Sequence, residues 1–347
     1  MSLLLQTVRI IKILAILLFA VVALLVVYGT STRSDIHENF SMPGHLVDVG
    51  GHNLHFHCVG EGEQAVVLES GGGSWSLDWF PVIDGLSSFS KVCVYDRAGF
   101  GWSDTAEGTR DFQTLVSELD RLLINSGTSE PLILVGASLG GAIVQMYAQQ
   151  FPDKVAGLLL LDARAKRSVT DLLAIEPSLL PPPVVASIAQ LLTSINVVHG
   201  ILKLVGTEGM LSVAHPNLAE YPEEIRKMYL DSRVFDKNIR ATLAEAIADA
   251  QSELQLDAVS GVGDIPLIVV THGYEYRFDS LELSEKQRGM IEKEWARQQY
   301  ELSSLSSDSK IVVAESSGHL IQLDQPALVV ELVKELVEAI EEAEMAL

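Results

Sequence analysis

The sequence predicts an α/β protein: a mostly parallel sheet covered by helices on both faces and opened by an antiparallel hairpin. Two observations predict it. Short apolar runs rich in β-formers alternate with stretches of helical periodicity. One of those runs, Leu132–Val135, leads directly into Gly136-Ala137-Ser138-Leu139-Gly140 and then into a helical pattern, placing a serine on a strand-to-helix turn.

The hairpin comes first. Leu46-Val-Asp-Val is followed by the Gly50-Gly51 turn and by Leu54–Val59, where Leu54, Phe56 and Cys58 alternate with His55 and His57. Ala65–Leu68 and Lys91–Tyr95 read as the next strands, separated by a glycine cluster. Thr109–Asn125 reads as an amphipathic helix with Phe112, Leu115, Val116, Leu119, Leu122 and Leu123 on one face. After the Ser138 turn come a helix to Gln150 and the strand Gly157–Leu161. Pro266–Val270 and Lys310–Val313 are later strands around a polar helix at Glu285–Leu302, and a last helix begins after Pro326.

Residues 163–261 contain no convincing strand. They are helical in pattern, broken by Pro181-Pro182-Pro183 and Pro216, and too long for an unstructured loop. They are expected to form a helical lid inserted in a core of residues 43–162 and 262–347.

The first 34 residues stand apart. From Ile10 to Tyr28 only Lys12 interrupts an apolar stretch, and those 19 residues nearly cover a hydrocarbon layer of about 30 Å. Arg9 and Lys12 precede it, which favours a cytoplasmic N-terminus and an extracytoplasmic main domain. The expectation is an uncleaved membrane anchor; the alternative is a signal peptide and a secreted protein. With 24 Lys and Arg against 46 Asp and Glu, the net charge of −22 argues against nucleic acid as a partner. Cys58 and Cys93 are too few for a disulfide scaffold and read as buried free thiols.

Ser138 on such a turn reads as a nucleophile, because the turn lifts its hydroxyl into the open while small neighbours let strand and helix approach. Its base is expected to be His319, on a loop after the last strand and at the same carboxyl edge of the sheet; His272, after Pro266–Val270, is the competing histidine. Oxyanion donors are expected from the N–H of Leu139 and from Gly72, with Gly73 next, in the Ser70–Trp75 loop. Four histidines of the hairpin region (His45, His52, His55 and His57) raise a metal site, but alternate strand positions favour a solvated face. No metal and no cofactor are expected.

These residues, together with Tyr95-Asp96-Arg97-Ala98-Gly99-Phe100-Gly101-Trp102-Ser103-Asp104 and Gly318-His319 followed by Pro326, resemble the α/β-hydrolase fold family. The resemblance covers residues 43–162 and 262–345. It implies an eight-stranded sheet with the lid after the sixth strand, and the chain order nucleophile, acid, histidine. Most members carry the acid after the seventh strand, where this chain has Tyr276. Some carry it after the sixth, where Asp162 stands; Glu275 is the alternative acid, with Asp279 behind it. A serine nucleophile separates the chain from the dehalogenase and epoxide hydrolase branches, whose nucleophile is Asp. The expected activity is hydrolysis of an ester, with an apolar substrate suggested by the apolar lid and the anchor. An iminopeptidase- or lactonase-like hydrolase and a non-catalytic binding protein are the alternatives.

Overall fold

The computed structural model describes residues 2–32, 36–62, 64–128, 131–179, 191–193, 196–205, 221–232, 235–274 and 283–345, with Val185 and Ile188 besides. It divides into two compact units, one of residues 1–40 with 182–240, the other of residues 41–181 with 241–347.

The larger unit is built on eight strands: β1 His45–Asp48, β2 Asn53–Val59, β3 Ala65–Glu69, β4 Lys91–Tyr95, β5 Leu132–Ala137, β6 Val155–Leu161, β7 Leu267–His272 and β8 Ser309–Ala314. Their spatial order is β1-β2-β4-β3-β5-β6-β7-β8. β1, β2 and β4 pair antiparallel, and every pairing from β4 through β3 to β8 is parallel.

The smaller unit supplies α1 (Ser2–Ser31) and, beside it, α5 (Val197–Val205). In the larger unit the helices that matter here are α2 (Phe80–Ser87), α3 (Phe112–Ser126), α4 (Leu139–Gln150), α6 (Glu285–Leu302) and α7 (Pro326–Met345). Asp111 caps α3 by accepting from the Thr114 N–H, and Gly127 ends it in the left-handed region that glycine adopts at no cost.

The central strands explain their own sequences. Leu132 and Leu134 of β5 face one apolar layer, with α3 and α4, while Ile133 and Val135 face a second, with α2 and α7. A strand buried on both faces needs an unbroken apolar run, and β5 and β6 provide one. Among the described residues between β6 and β7 no strand occurs.

Two expectations for the hairpin are corrected. Cys58 and Cys93 are not free thiols: they sit opposite each other across the β2/β4 ladder, Cα atoms 4.1 Å apart, and form a disulfide. Sequence spacing could not show this, because it depends on β2 pairing with β4 rather than with β3. His55 is not solvated either. The loop after β4 folds over it, so it is fully buried, its Nδ1 2.8 Å from Asp96 Oδ2.

Candidate active site

Four loops leave the carboxyl ends of parallel strands β3, β5, β6 and β8, and each brings one expected residue to the same edge of the sheet. Ser138 follows β5 directly, with φ 51° and ψ −116°. A non-glycine residue at positive φ stores strain, and here the main chain over-determines it: the Ser138 N–H donates to Leu161 O, and its own carbonyl accepts from the Gly141 and Arg164 N–H groups. Gly140 is required because a Cβ there would lie 2.4 Å from Glu69 O, and Gly136 because one would lie 2.7 Å from Gly140 O.

His319 lies on the loop after β8, with Asp324 accepting from the Gly318 N–H to hold that loop. Its Nδ1–H donates to Asp162 Oδ2 at 2.6 Å, which leaves Nε2 bare to accept from Ser138 Oγ at 2.9 Å. Asp162 follows β6, is fully buried and also has positive φ, 43°. The serine, the histidine and the sixth-strand carboxylate therefore form one hydrogen-bonded line. Glu275, the alternative acid, lies outside the described residues, as do Tyr276 and Asp279.

The competing histidine stands behind the acid, away from the serine in this line. His272 Nδ1 is 2.8 Å from Asp162 Oδ2, and its Nε2 is 3.0 Å from Glu292 Oε2. The indole N–H of Trp295 donates to the other oxygen, Asp162 Oδ1, at 2.9 Å. Burial opposes ionisation of Asp162, yet the hydrogen bonds from His272 and His319 outweigh it and hold the carboxyl well below the usual range. Burial also opposes the charged form of His272, but Asp162 and Glu292 push its pKa up to about 9.

Glu292, Trp295 and Gln299 recur at helical spacing on α6, so one face of that helix attends to the acid loop. Gln299 Nε2–H donates to Ala163 O at 2.8 Å. In the sequence α6 reads only as a polar helix, and its stripe of long polar side chains with an indole is the one signal there.

The loop after β3 passes beside Ser138. A Cβ on Gly71 would be 3.5 Å from Ser138 Cβ, and one on Gly72 would be 3.3 Å from Leu139 Cδ1, whereas Gly73 faces Thr242. Arg97, from the motif after β4, ties this loop down. Its guanidinium donates to Ser70 O, Gly71 O, Glu69 Oε1 and Glu245 Oε1 at 2.7–2.8 Å. Burial pushes the Glu69 carboxyl up, against the pull of Arg97. Among the described residues no group of three or more His, Cys, Asp or Glu side chains is placed to hold a metal ion.

Comparison with known proteins agrees with this architecture. A family model described as alpha/beta hydrolase fold matches residues 64–196. The uncharacterized protein YbdG of Bacillus subtilis strain 168 is 29% identical over 121 residues, 34% of this chain and 37% of that protein. A pimeloyl-[acyl-carrier protein] methyl ester esterase of Aliivibrio salmonicida is 30% identical over 107 residues, 31% of this chain and 38% of the esterase. The chain thus spans little more than a third of the length of these two relatives. A solved esterase of Thermogutta terrifontis superposes with a TM-score of 0.56 at 21% identity, covering 85% of this chain and 98% of that one. With the sheet order, the serine turn after β5 and these similarities together, the chain has the α/β-hydrolase fold.

Proposed function

We propose that the chain is a serine hydrolase that cleaves a carboxylic ester of apolar character through an acyl-enzyme. The observation that carries this reading is the line Ser138 Oγ, His319 Nε2 and Nδ1, Asp162 Oδ2, with links of 2.9 and 2.6 Å. In the first half-reaction Ser138 Oγ attacks the ester carbonyl carbon and its proton passes to His319 Nε2. The oxyanion that forms accepts from the N–H groups of Leu139 and Gly72. His319 then returns the proton to the departing alkoxide, and the alcohol leaves. Water, deprotonated by the same nitrogen, attacks the acyl-enzyme, and Ser138 recovers its proton as the carboxylic acid departs. Asp162 keeps the imidazole in the required tautomer throughout and balances its transient charge. The name of the Aliivibrio relative, an esterase, points the same way.

The setting belongs to the same proposal. The helix over Leu5–Ser31 is long and apolar enough to cross a membrane, and its side chains are exposed, as Phe19 at 75% and Leu24 at 69% illustrate. Arg9 and Lys12 on its N-terminal side favour a catalytic unit outside the cytoplasm. The Cys58–Cys93 disulfide fits an oxidising compartment.

The experiment is labelling with a fluorophosphonate alongside hydrolysis of p-nitrophenyl esters of increasing acyl length. Wild type should label and Ser138→Ala should not. Asp162→Asn should label far more slowly, and Glu275→Gln like wild type. Labelling that survives Ser138→Ala overturns the mechanism, and a preference for acetyl over longer acyl groups overturns the apolar substrate.

A further inference from the structure

The smaller unit carries a second apolar surface beside its membrane-length helix. α1 and α5 pack on a stripe where main chain meets main chain. A Cβ on Gly29 would lie 2.1 Å from Asn196 O, and one on Gly200 would lie 2.7 Å from Leu25 O. Asn196 Nδ2–H donates to Thr30 Oγ1 at 3.1 Å. Small residues permit such close approach wherever two helices pack tightly, in water or in lipid.

The pairing fixes direction. Residue 196 meets residues 29 and 30, while residue 200 meets residues 25 and 29, so α5 runs antiparallel to α1. Continuing four residues past Gly200, at about 1.5 Å each, carries α5 roughly 6 Å further along α1 toward Val21 and Val22. That level lies within the unbroken apolar run Ile13–Tyr28. At that level α5 exposes apolar side chains: Ile201 is 41% exposed, Leu204 63% and Val205 79%. On α1 the flank away from the contact is equally bare, with Val21 at 53% and Leu24 at 69%. Left in water, a continuous apolar surface of this kind would be a liability.

We propose that α5 is a second membrane-embedded element, descending beside the anchor so that Ile201, Leu204 and Val205 contact lipid acyl chains of the extracytoplasmic leaflet. This rests on the reading of α1 as a membrane anchor. The occupant of the surface is the bilayer because, among the described residues, the exposed patch of α5 continues that of a helix long and apolar enough to cross a membrane, at the same depth. Lys203, the one charged residue of α5, has a four-carbon stem by which its ammonium reaches the headgroups. The smaller unit therefore sits partly in the membrane rather than above it.

The test uses the full-length chain in phosphatidylcholine vesicles, with single cysteines introduced by Leu204→Cys, Phe19→Cys and Leu254→Cys and labelled with an environment-sensitive fluorophore. The paired native cysteines do not react, and Leu254, 67% exposed in the larger unit, serves as the aqueous reference. Lipid carrying a doxyl quencher on the acyl chain should quench labels at positions 204 and 19 several-fold and leave the label at 254 unaffected. Quenching at 19 without quenching at 204 overturns the inference and leaves the anchor standing. Absence of quenching at 19 removes the anchor and the inference together.

Discussion

Asp162 divides one carboxylate oxygen between two histidines: Oδ2 lies 2.6 Å from His319 Nδ1 and 2.8 Å from His272 Nδ1. His272 meets a second carboxylate, Glu292, with its other nitrogen. An imidazole that donates from both nitrogens is an imidazolium, so a fixed positive charge stands behind the acid.

That charge has a consequence for the reaction. Among the described residues, Asp162 after β6, Glu292 on α6 and, through the shared oxygen, His319 after β8 bear on His272. A cation beside Asp162 draws on the same carboxylate oxygen that His319 Nδ1 uses. His272→Asn should therefore move the acidic limb of kcat/KM upward by about one pH unit, with at most a tenfold loss on the plateau. Glu292→Gln leaves the ring in place but removes a negative charge from the same cluster, so it should not reproduce that upward move. A pH–rate profile unchanged by His272→Asn would reduce His272 to packing.

Stability should follow the same groups. The pKa of His272 is raised from 6.5 to about 9, so its contribution is fully present below pH 6.5 and is lost as pH rises through 9. The displacement bounds the loss at about 3 kcal/mol, and the sharing of Asp162 makes the true figure smaller. Asp162 is shifted the opposite way, so its contribution is present above its unfolded value near 4 and falls only in strong acid. Urea denaturation between pH 5 and 9.5 should show declining stability in wild type and a flatter curve in His272→Asn.

The acid itself should be the most sensitive carboxylate. Asp162→Asn presents an amide where two histidines need an acceptor and lets His319 adopt the wrong tautomer, so kcat should fall about 10³- to 10⁴-fold. Trp295→Phe removes one donor to Oδ1, leaving the His272 N–H at 3.3 Å, and should cost at most roughly tenfold in kcat with little change in KM. Comparable losses from both would mean that the indole, rather than the carboxylate's charge, sets the geometry.

These residues differ in how far the sequence disclosed them. Ser138 and its two glycines are a local motif, and their constraint is met within ten residues of chain plus the β3 edge. His319 was accessible from its place after the last strand. Asp162 could be named only against a rival, because a carboxylate at a strand end says nothing about which imidazole reaches it. His272, Trp295 and Glu292 come together solely through the packing of α6 on the ends of β6 and β7. The order β2-β4-β3 was hidden in the same way, and with it the disulfide and the burial of His55.

Arg97 offers a test of the loop that passes beside Ser138. It holds the carbonyls of Ser70 and Gly71 and neutralises Glu69 and Glu245, all in a buried setting. Arg97→Met leaves two buried carboxylates without their cation and should destabilise the fold by about 3–5 kcal/mol. Arg97→Lys keeps the charge but cannot reach four acceptors with a planar fork, so it should recover stability better than kcat. Equal recovery of both would separate the loop's position from catalysis.

Removing the disulfide tests the hairpin. Cys58 and Cys93 close a loop across 35 positions of sequence, and the chain-entropy model puts its loss at about 3–4 kcal/mol. The paired cysteines lie on β2 and β4, and the strand that carries the Ser138 turn is β5, two places further along the sheet. Cys58→Ser with Cys93→Ser should therefore lower the urea midpoint while kcat, measured well below it, stays within about twofold of wild type. Dithiothreitol should reproduce the shift in wild type and leave the double variant unmoved. A fall in kcat that precedes unfolding would instead tie the hairpin to the catalytic edge through the β4 loop, where Arg97 and Asp96 begin.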